Sequence, residues 1–286
     1  MHRRACVLVV VALVASIPLG GAPASAVSSL YDNFNDPSLL VRSDLWRSFD
    51  SYSTGGIGSG RTDAVRGVDA LLASSLPLLA ADPSNPKLLI AKRFVLRPGA
   101  ASGSSDFDGL VMLQAANAIG VQADVTMKLC LLSTAGFVQA GMEVAGFNDG
   151  TSPAPGNRTG DIFARLRISC SGTTNQAQIT WNVFRCTDAA CNTAASLGTG
   201  SFGAATIGQE FTLHATKSGS SFVFTAMGQT QTFPVPGGPT APPRVPFSDL
   251  MTRIDPTTPS NGGEFAVVAT FDNVMIDRKS SCFPVW

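Results

Sequence analysis

The nine residues VQADVTMKL (Val121–Leu129) alternate without a break. Val121, Ala123, Val125, Met127 and Leu129 fall on one side, and Gln122, Asp124, Thr126 and Lys128 on the other, the two-residue period of a strand with one buried face. The pattern recurs downstream. DIFARLRIS groups Ile162, Ala164, Leu166 and Ile168 against Phe163, Arg165 and Arg167, and QITWNVFRC groups Ile179, Trp181 and Val183. The polar CSGTTNQA between them, with Gly172, makes the two a hairpin. A second hairpin is EFTLHATKSGSSFVFTAMG, where Phe211, Leu213 and Ala215 face the same way as Phe222, Phe224 and Ala226. QTQTFPV supplies a further strand.

The Pro-rich stretch from Pro234 to Pro246 cannot enter a sheet interior, because proline lacks a backbone donor and has a fixed φ. It reads as a long loop around the domain, since a strand still follows it. That strand is EFAVVATFDNVMID, with Phe265, Val267, Ala269 and Phe271 on one side; Val274 and Ile276 break the parity, as a bulge would. Upstream, KLLIAKRFVL and FDGLVMLQ read as strands, while VDALLASSLPLLAADPSNP is read as a short helix or a buried irregular segment. Roughly ten to twelve short strands, separated by Gly, Pro, Asn and Ser turns with no alternating helices, predict an all-β antiparallel two-sheet sandwich.

His2, Arg3 and Arg4 precede an apolar run from Ala5 to Leu19 and the small residues GGAPASA, the order of a secretory leader over residues 1–26 with mature protein beginning at Val27. The run of about fifteen residues is short of the roughly twenty that cross a bilayer, so the expected product is exported, extracellular or periplasmic, and not membrane-spanning. Without the leader, 18 basic residues stand against 20 acidic, a net charge of −2, which excludes the basic surface of a nucleic-acid binder. Charged residues are only 14% of the chain, while Gly (28) and Pro (18) are abundant, a turn-rich composition suited to one β domain over residues 27–286.

Export favours disulfides. Cys186 and Cys191, in CTDAAC, are close enough to staple a loop; one further bridge among Cys130, Cys170 and Cys282 leaves one thiol over. Zinc is a poor fit, because His214 is the only histidine beyond the leader.

DNFND followed by DLW, then ADVTM, GDIFARLRI and ITWNVFRC, and a final FDNVMID resemble the concanavalin A-like (laminin G/glucanase) jelly rolls, secreted bacterial members above all. The resemblance covers most of the mature chain and rests on fold-pattern motifs. It implies that the first and last strands lie side by side, with Phe34 and Phe271 in a common core, Asp32 near Asp272, and a concave sheet that often binds glycans.

Retaining glucanases of that fold place carboxylates at alternate strand positions, about 5 to 5.5 Å apart. No such motif occurs: Glu143, Glu210 and Glu264 each lack an acidic residue two positions away. His214 lies opposite Phe211 and Leu213, as a solvent-facing or cross-strand residue rather than a base. No G-x-S-x-G elbow is present, and GIGSGRT (Gly56 to Thr62) lacks phosphate-loop spacing and reads as a loop. No cofactor is implied.

Sugar recognition needs an aromatic platform with amides, carboxylates or arginines beside it. The candidates are Tyr52, Trp181, Asn148 and Asp149 in the loop GFNDGTSPAPGNR, and the paired Arg165 and Arg167; Tyr31, Trp46 and Phe147 are further aromatics. Trp181 shares its face with Ile179 and Val183, which argues equally for the core. Asp and Asn oxygens in NFND and FNDGTS suit a hard cation but lack calcium-loop spacing, leaving a structural Ca²⁺ near Asp32 and Asp272 as the one metal reading. Asn157 in NRT is a formal glycosylation sequon. These features predict a secreted, noncatalytic sandwich that binds glycan or cell-envelope material. The alternatives are a structural or adhesion module making protein contacts and a divergent polysaccharide-cleaving enzyme; two acidic groups facing each other across a cleft would favour the enzyme.

Overall fold

The computed structural model describes residues 26–35, 41–53, 60–68, 84–96, 105–114, 117–151, 154, 156–172, 176–257 and 262–279. The expected leader lies outside these except for Ala26, as do Cys282 and most of VDALLASSLPLLAADPSNP. Among the described residues there are fifteen strands and no helix. They are β1 (Ala26–Asp32), β2 (Trp46–Ser53), β3 (Gly60–Val68), β4 (Leu88–Leu96), β5 (Ser105–Met112), β6 (Ala118–Leu132), β7 (Gly136–Asn148) and β8 (Asp161–Ser171). Then come β9 (Gln176–Cys186), β10 (Ala194–Ala205), β11 (Glu210–Ser218), β12 (Ser221–Ala226), β13 (Gln229–Pro234), β14 (Ser248–Pro256) and β15 (Gly263–Lys279).

They form two antiparallel sheets. An eight-stranded sheet runs β13-β12-β11-β6-β15-β4-β3, with β1 also on β15, and a seven-stranded sheet runs β10-β9-β8-β7-β14-β5-β2. Alternation decides what lies between them: Val121, Ala123, Val125 and Met127 of β6 meet Val138, Ala140, Met142 and Val144 of β7 and Leu166 and Ile168 of β8 in one core. Trp181 lies flat on Phe224, 4.7 Å between ring centroids, and Phe147 meets Phe222 edge-on at 5.2 Å. Such pairs hold the two sheets together beyond their buried area.

The first and last strands are neighbours, as the resemblance implies. β1 pairs with Val274 to Lys279 of β15, and β4 pairs with Gly263 to Phe271 of it. Between these halves the register with β6 slips from Asp272 to Met275, and Asn273 takes a φ of 46°; Phe271, Val274 and Ile276 therefore all face the core. Phe34 joins them, 5.8 Å from Trp46.

One parity differs from expectation. The register of β6 on β15 slips between Met127 and Leu129, so Lys128 acts as a bulge, Leu129 turns outward, and Cys130 points into the core. There Cys130 is bonded to Cys170 of β8, a bridge between the two sheets; Cys186 and Cys191 are bonded within the β9–β10 connection. Two disulfides suit an oxidising compartment. Part of the Gly-rich GIGSGRT also differs, since Gly60 opens strand β3. No helix long and apolar enough to cross a membrane occurs among the described residues.

A buried polar face on the seven-stranded sheet

The side of β7, β8 and β14 that turns away from the core is polar and largely buried, and β9 continues it toward solvent. Gln139 is 4% exposed, Glu143 8%, Arg165 6% and Asp249 6%, values expected of core residues rather than of a wet sheet face. Register sets them in rows across the strands. Asp249, Glu143, Arg165 and Asn182 form one row; Met251, Gly141, Arg167 and Thr180 the next; Arg253, Gln139, Ser169 and Gln178 the third. On the opposite flank of the first row lies an aromatic strip: Phe163 stacks on Phe184 at 5.4 Å and meets Phe247 at 5.7 Å. The Arg165 guanidinium sits 5.1 Å from the Phe184 centroid, and Arg158 covers Phe247 at 4.6 Å.

The charges are arranged unevenly. Arg165 donates to the Glu143 carboxylate in a buried ion pair. Asp249, the cross-strand neighbour of Glu143, has its pKa raised well above the ordinary carboxylate value by burial and then by the Glu143 charge. Arg167 donates to the Asn182 side-chain oxygen at 2.5 Å, and burial, followed by the neighbouring Arg165 charge, lowers its pKa to about 9. Gly141 stands between Met251 and Arg167 in the second row. A Cβ there would lie 2.2 Å from the Leu166 carbonyl oxygen, so glycine lets β7 and β8 approach.

Several polar atoms on this face have no partner. Among the described residues seven buried side-chain atoms make no hydrogen bond, and four of them are Gln139 Oε1, Arg167 Nε, Thr180 Oγ1 and Asp249 Oδ1. Buried polar atoms are ordinarily paired, and an unpaired one costs about 1–3 kcal/mol. Four of the seven lie on this one face.

Of the residues predicted from sequence, Arg165 and Arg167 stand in the middle of this face. Trp181 does not: at 7% exposure it packs between the sheets, its indole N–H donating to Gln231 Oε1 at 2.6 Å, and it is a core residue. Asn148 is not a loop ligand either. It ends β7, fully buried, donating to Asp161 Oδ1 at 2.8 Å and accepting from the Gly150 N–H at 2.8 Å. Asp149 folds the next turn by accepting from the Thr151 N–H and hydroxyl at 3.0 and 2.6 Å. Tyr52 lies on β2, and its side chain is outside the described residues. Asp32 and Asp272 do not converge. Asp32 faces inward, accepting from the Phe34 N–H at 2.8 Å and the Trp46 indole at 2.7 Å, whereas Asp272 faces the opposite side of the sheet, 3.6 Å from Lys87.

Glu143, Asp249, Gln139 and Asn182 were not singled out as site residues from sequence. Glu143 lacks an acidic residue two positions along its own strand; its acidic neighbour arrives from β14, and only strand pairing brings the two together. No family model matches the chain, and no curated protein matches it. Among solved structures, the chain is similar to a Bacillus licheniformis β-glucanase at 12% identity and a TM-score of 0.44, covering 89% of this chain and 98% of that one. It is similar to a glycoside hydrolase family 16 endo-glucanase of Bacteroides ovatus at 10% identity and a TM-score of 0.48 (86% and 98% covered). It is similar also to an alginate lyase of Alteromonas sp. 272 at 11% identity and a TM-score of 0.36 (66% and 88% covered).

Proposed function

We propose that this protein is an exported glycan-binding sandwich, and that the ligand lies on the polar face of the seven-stranded sheet. The observation that carries the reading is the set of unpaired buried atoms, Gln139 Oε1, Arg167 Nε, Thr180 Oγ1 and Asp249 Oδ1, on neighbouring strands of one sheet face. A polyhydroxylated ligand supplies both donors and acceptors, which this mixture of carbonyl, guanidinium, hydroxyl and carboxyl groups requires. The strip of Phe163, Phe184 and Phe247 beside the first row offers the apolar face on which a pyranose ring rests. The disulfides and the leader-like start fit export of the chain.

The test is a glycan array followed by calorimetry with the purified mature chain. Neutral and acidic polysaccharides from envelopes and plant walls should give at least one specific binder, and Arg167→Met should weaken it roughly tenfold or more, as loss of a charge-assisted hydrogen bond does. Silence across the array, or binding indifferent to Arg167, would reject the reading. A divergent enzyme is the second reading, favoured by two carboxyls on adjacent strands, Asp249 with its pKa raised by burial and Glu143 paired with Arg165, since carboxyls in unlike environments can divide the roles of acid and base. Release of reducing ends or unsaturated sugars from the bound glycan, abolished by Asp249→Asn, would establish it.

A further inference from the structure

At one end of the sandwich the two sheets leave a hollow of about 450 Å³, where β6 begins and β7, β11 and β15 end. The connection from β13 to β14 closes it. That connection is held down by Asp161, which accepts from the Arg244 and Val245 N–H groups at 2.7 and 3.1 Å, and by a bond from the Asn148 N–H to the Ala241 carbonyl at 3.0 Å. Ile119, Ala145, Pro242, Pro243, Pro246 and Phe247 make the walls apolar. Lys217 and the exposed Arg278 and Lys279 border the hollow, and among the described residues no acidic side chain lines the space.

The cations lean on neutral groups. The Lys217 ammonium donates to the Gly146 carbonyl at 2.7 Å and sits 4.2 Å from the Phe147 ring centroid, and Arg278 donates to the Ser29 hydroxyl at 3.3 Å. The adjacent Asp277 carboxylate is already engaged by His214 and Ser28. Half-burial, and then the charge of Lys279, pulls the Lys217 pKa down. A hollow of this size falls in the range of about 300–1,000 Å³ that takes small molecules rather than bare ions.

We infer that this hollow binds a carboxylate carried on a ring-sized body, the anion between Lys217, Arg278 and Lys279 and the ring against Pro242, Pro243 and Phe247. A uronic acid and an aryl carboxylate share that chemistry. The site adjoins the aromatic strip through Phe247 but uses no residue of the polar rows, so it stands whether or not that face binds glycan.

Calorimetry on the mature chain at low salt would use glucuronate and benzoate, with glucose and benzyl alcohol as uncharged counterparts and inorganic phosphate as the bare anion. The expected result is binding of glucuronate or benzoate but of neither uncharged counterpart, weakened in 0.5 M salt. Lys217→Met, which keeps the aliphatic stem, and the exposed Arg278→Gln should each reduce it roughly tenfold, while Arg167→Met leaves it unchanged. Whichever of the two carboxylates binds identifies the body. No binding of either, equal binding of the uncharged counterparts, binding of phosphate alone, or affinities unaltered by both substitutions in folded protein would overturn the assignment.

Discussion

Replacing Asp277 by asparagine tests how the eight-stranded sheet is tied together. Asp277 on β15 accepts from the Ser28 hydroxyl on β1 and faces His214 Nε2 on β11 at 2.7 Å, spanning β6 at Gly120. The span requires that glycine, because a Cβ on it would stand 2.5 Å from the Asp277 carboxylate and 2.4 Å from the Thr216 hydroxyl. Burial opposes ionisation of Asp277, but the hydrogen bonds of His214 and Ser28 and the charge of His214 outweigh it, and the pKa falls from 3.8 to about 2. A depression of nearly two units corresponds to about 2–3 kcal/mol, and the side chain is only 3% exposed, so solvent screening takes little of it. A depressed carboxyl contributes above its unfolded pKa and loses its contribution as the pH falls through the folded one. Wild type should therefore exceed Asp277→Asn by about 2–3 kcal/mol in urea unfolding at pH 6, and the gap should close between about pH 5 and pH 2. A gap that stays constant down to pH 2, or no gap at pH 6, would refute the assignment of this stability to the Asp277 charge.

Asp249 should behave in the opposite sense. Its raised pKa means that wild type loses stability relative to Asp249→Asn as the pH climbs past the ordinary carboxylate range, measured by the same unfolding at pH 4 and pH 8. Arg165→Met leaves Glu143 buried without its cation and should cost about 3–5 kcal/mol, visible as a lowered melting temperature. Separate removal of the disulfides should cost about 4 kcal/mol for Cys130–Cys170 and about 2 kcal/mol for Cys186–Cys191, the order set by sequence separations of 40 and 5. Gly146→Ala would place a Cβ 2.4 Å from the Phe222 ring and should destabilise by about 1–3 kcal/mol in denaturant titration. Intact mass of secreted protein should show cleavage after Ala26; retention of the leader would contradict the export reading.

The sandwich is legible in sequence wherever one face is greasy and the other wet. β6, β8, β9, β11 and β12 alternate strictly, and each lies where its pattern places it, apart from the slip at Lys128. β10 escapes notice because Ala194–Ala205 is nearly all glycine, alanine, serine and threonine, with little side-chain contrast to carry a period. β7 and β14 escape for another reason. Their outward residues, Gln139, Gly141, Glu143, Asp249 and Met251, are buried as deeply as the inward ones, so the contrast between faces that marks a half-buried strand is blurred. The polar face inherits that difficulty: Arg165 and Arg167 stand on a clearly alternating strand and are singled out in sequence, while their neighbours on β7 and β14 are not. Asn148 and Trp181 mislead because amide and indole groups satisfy the protein's own hydrogen bonds as readily as a ligand's.

β15 is the last described strand of the chain, yet it occupies the interior of the eight-stranded sheet, flanked by β6 on one side and by β4 and β1 on the other. Until residues 263–279 have been made, β6 and β4 have no common neighbour, and the sheet exists as two separate ribbons with open edges. Closure waits on pairings between strands more than a hundred residues apart, and pairings so distant in sequence form slowly. A product truncated ahead of Gly263 would expose strand edges that invite aggregation.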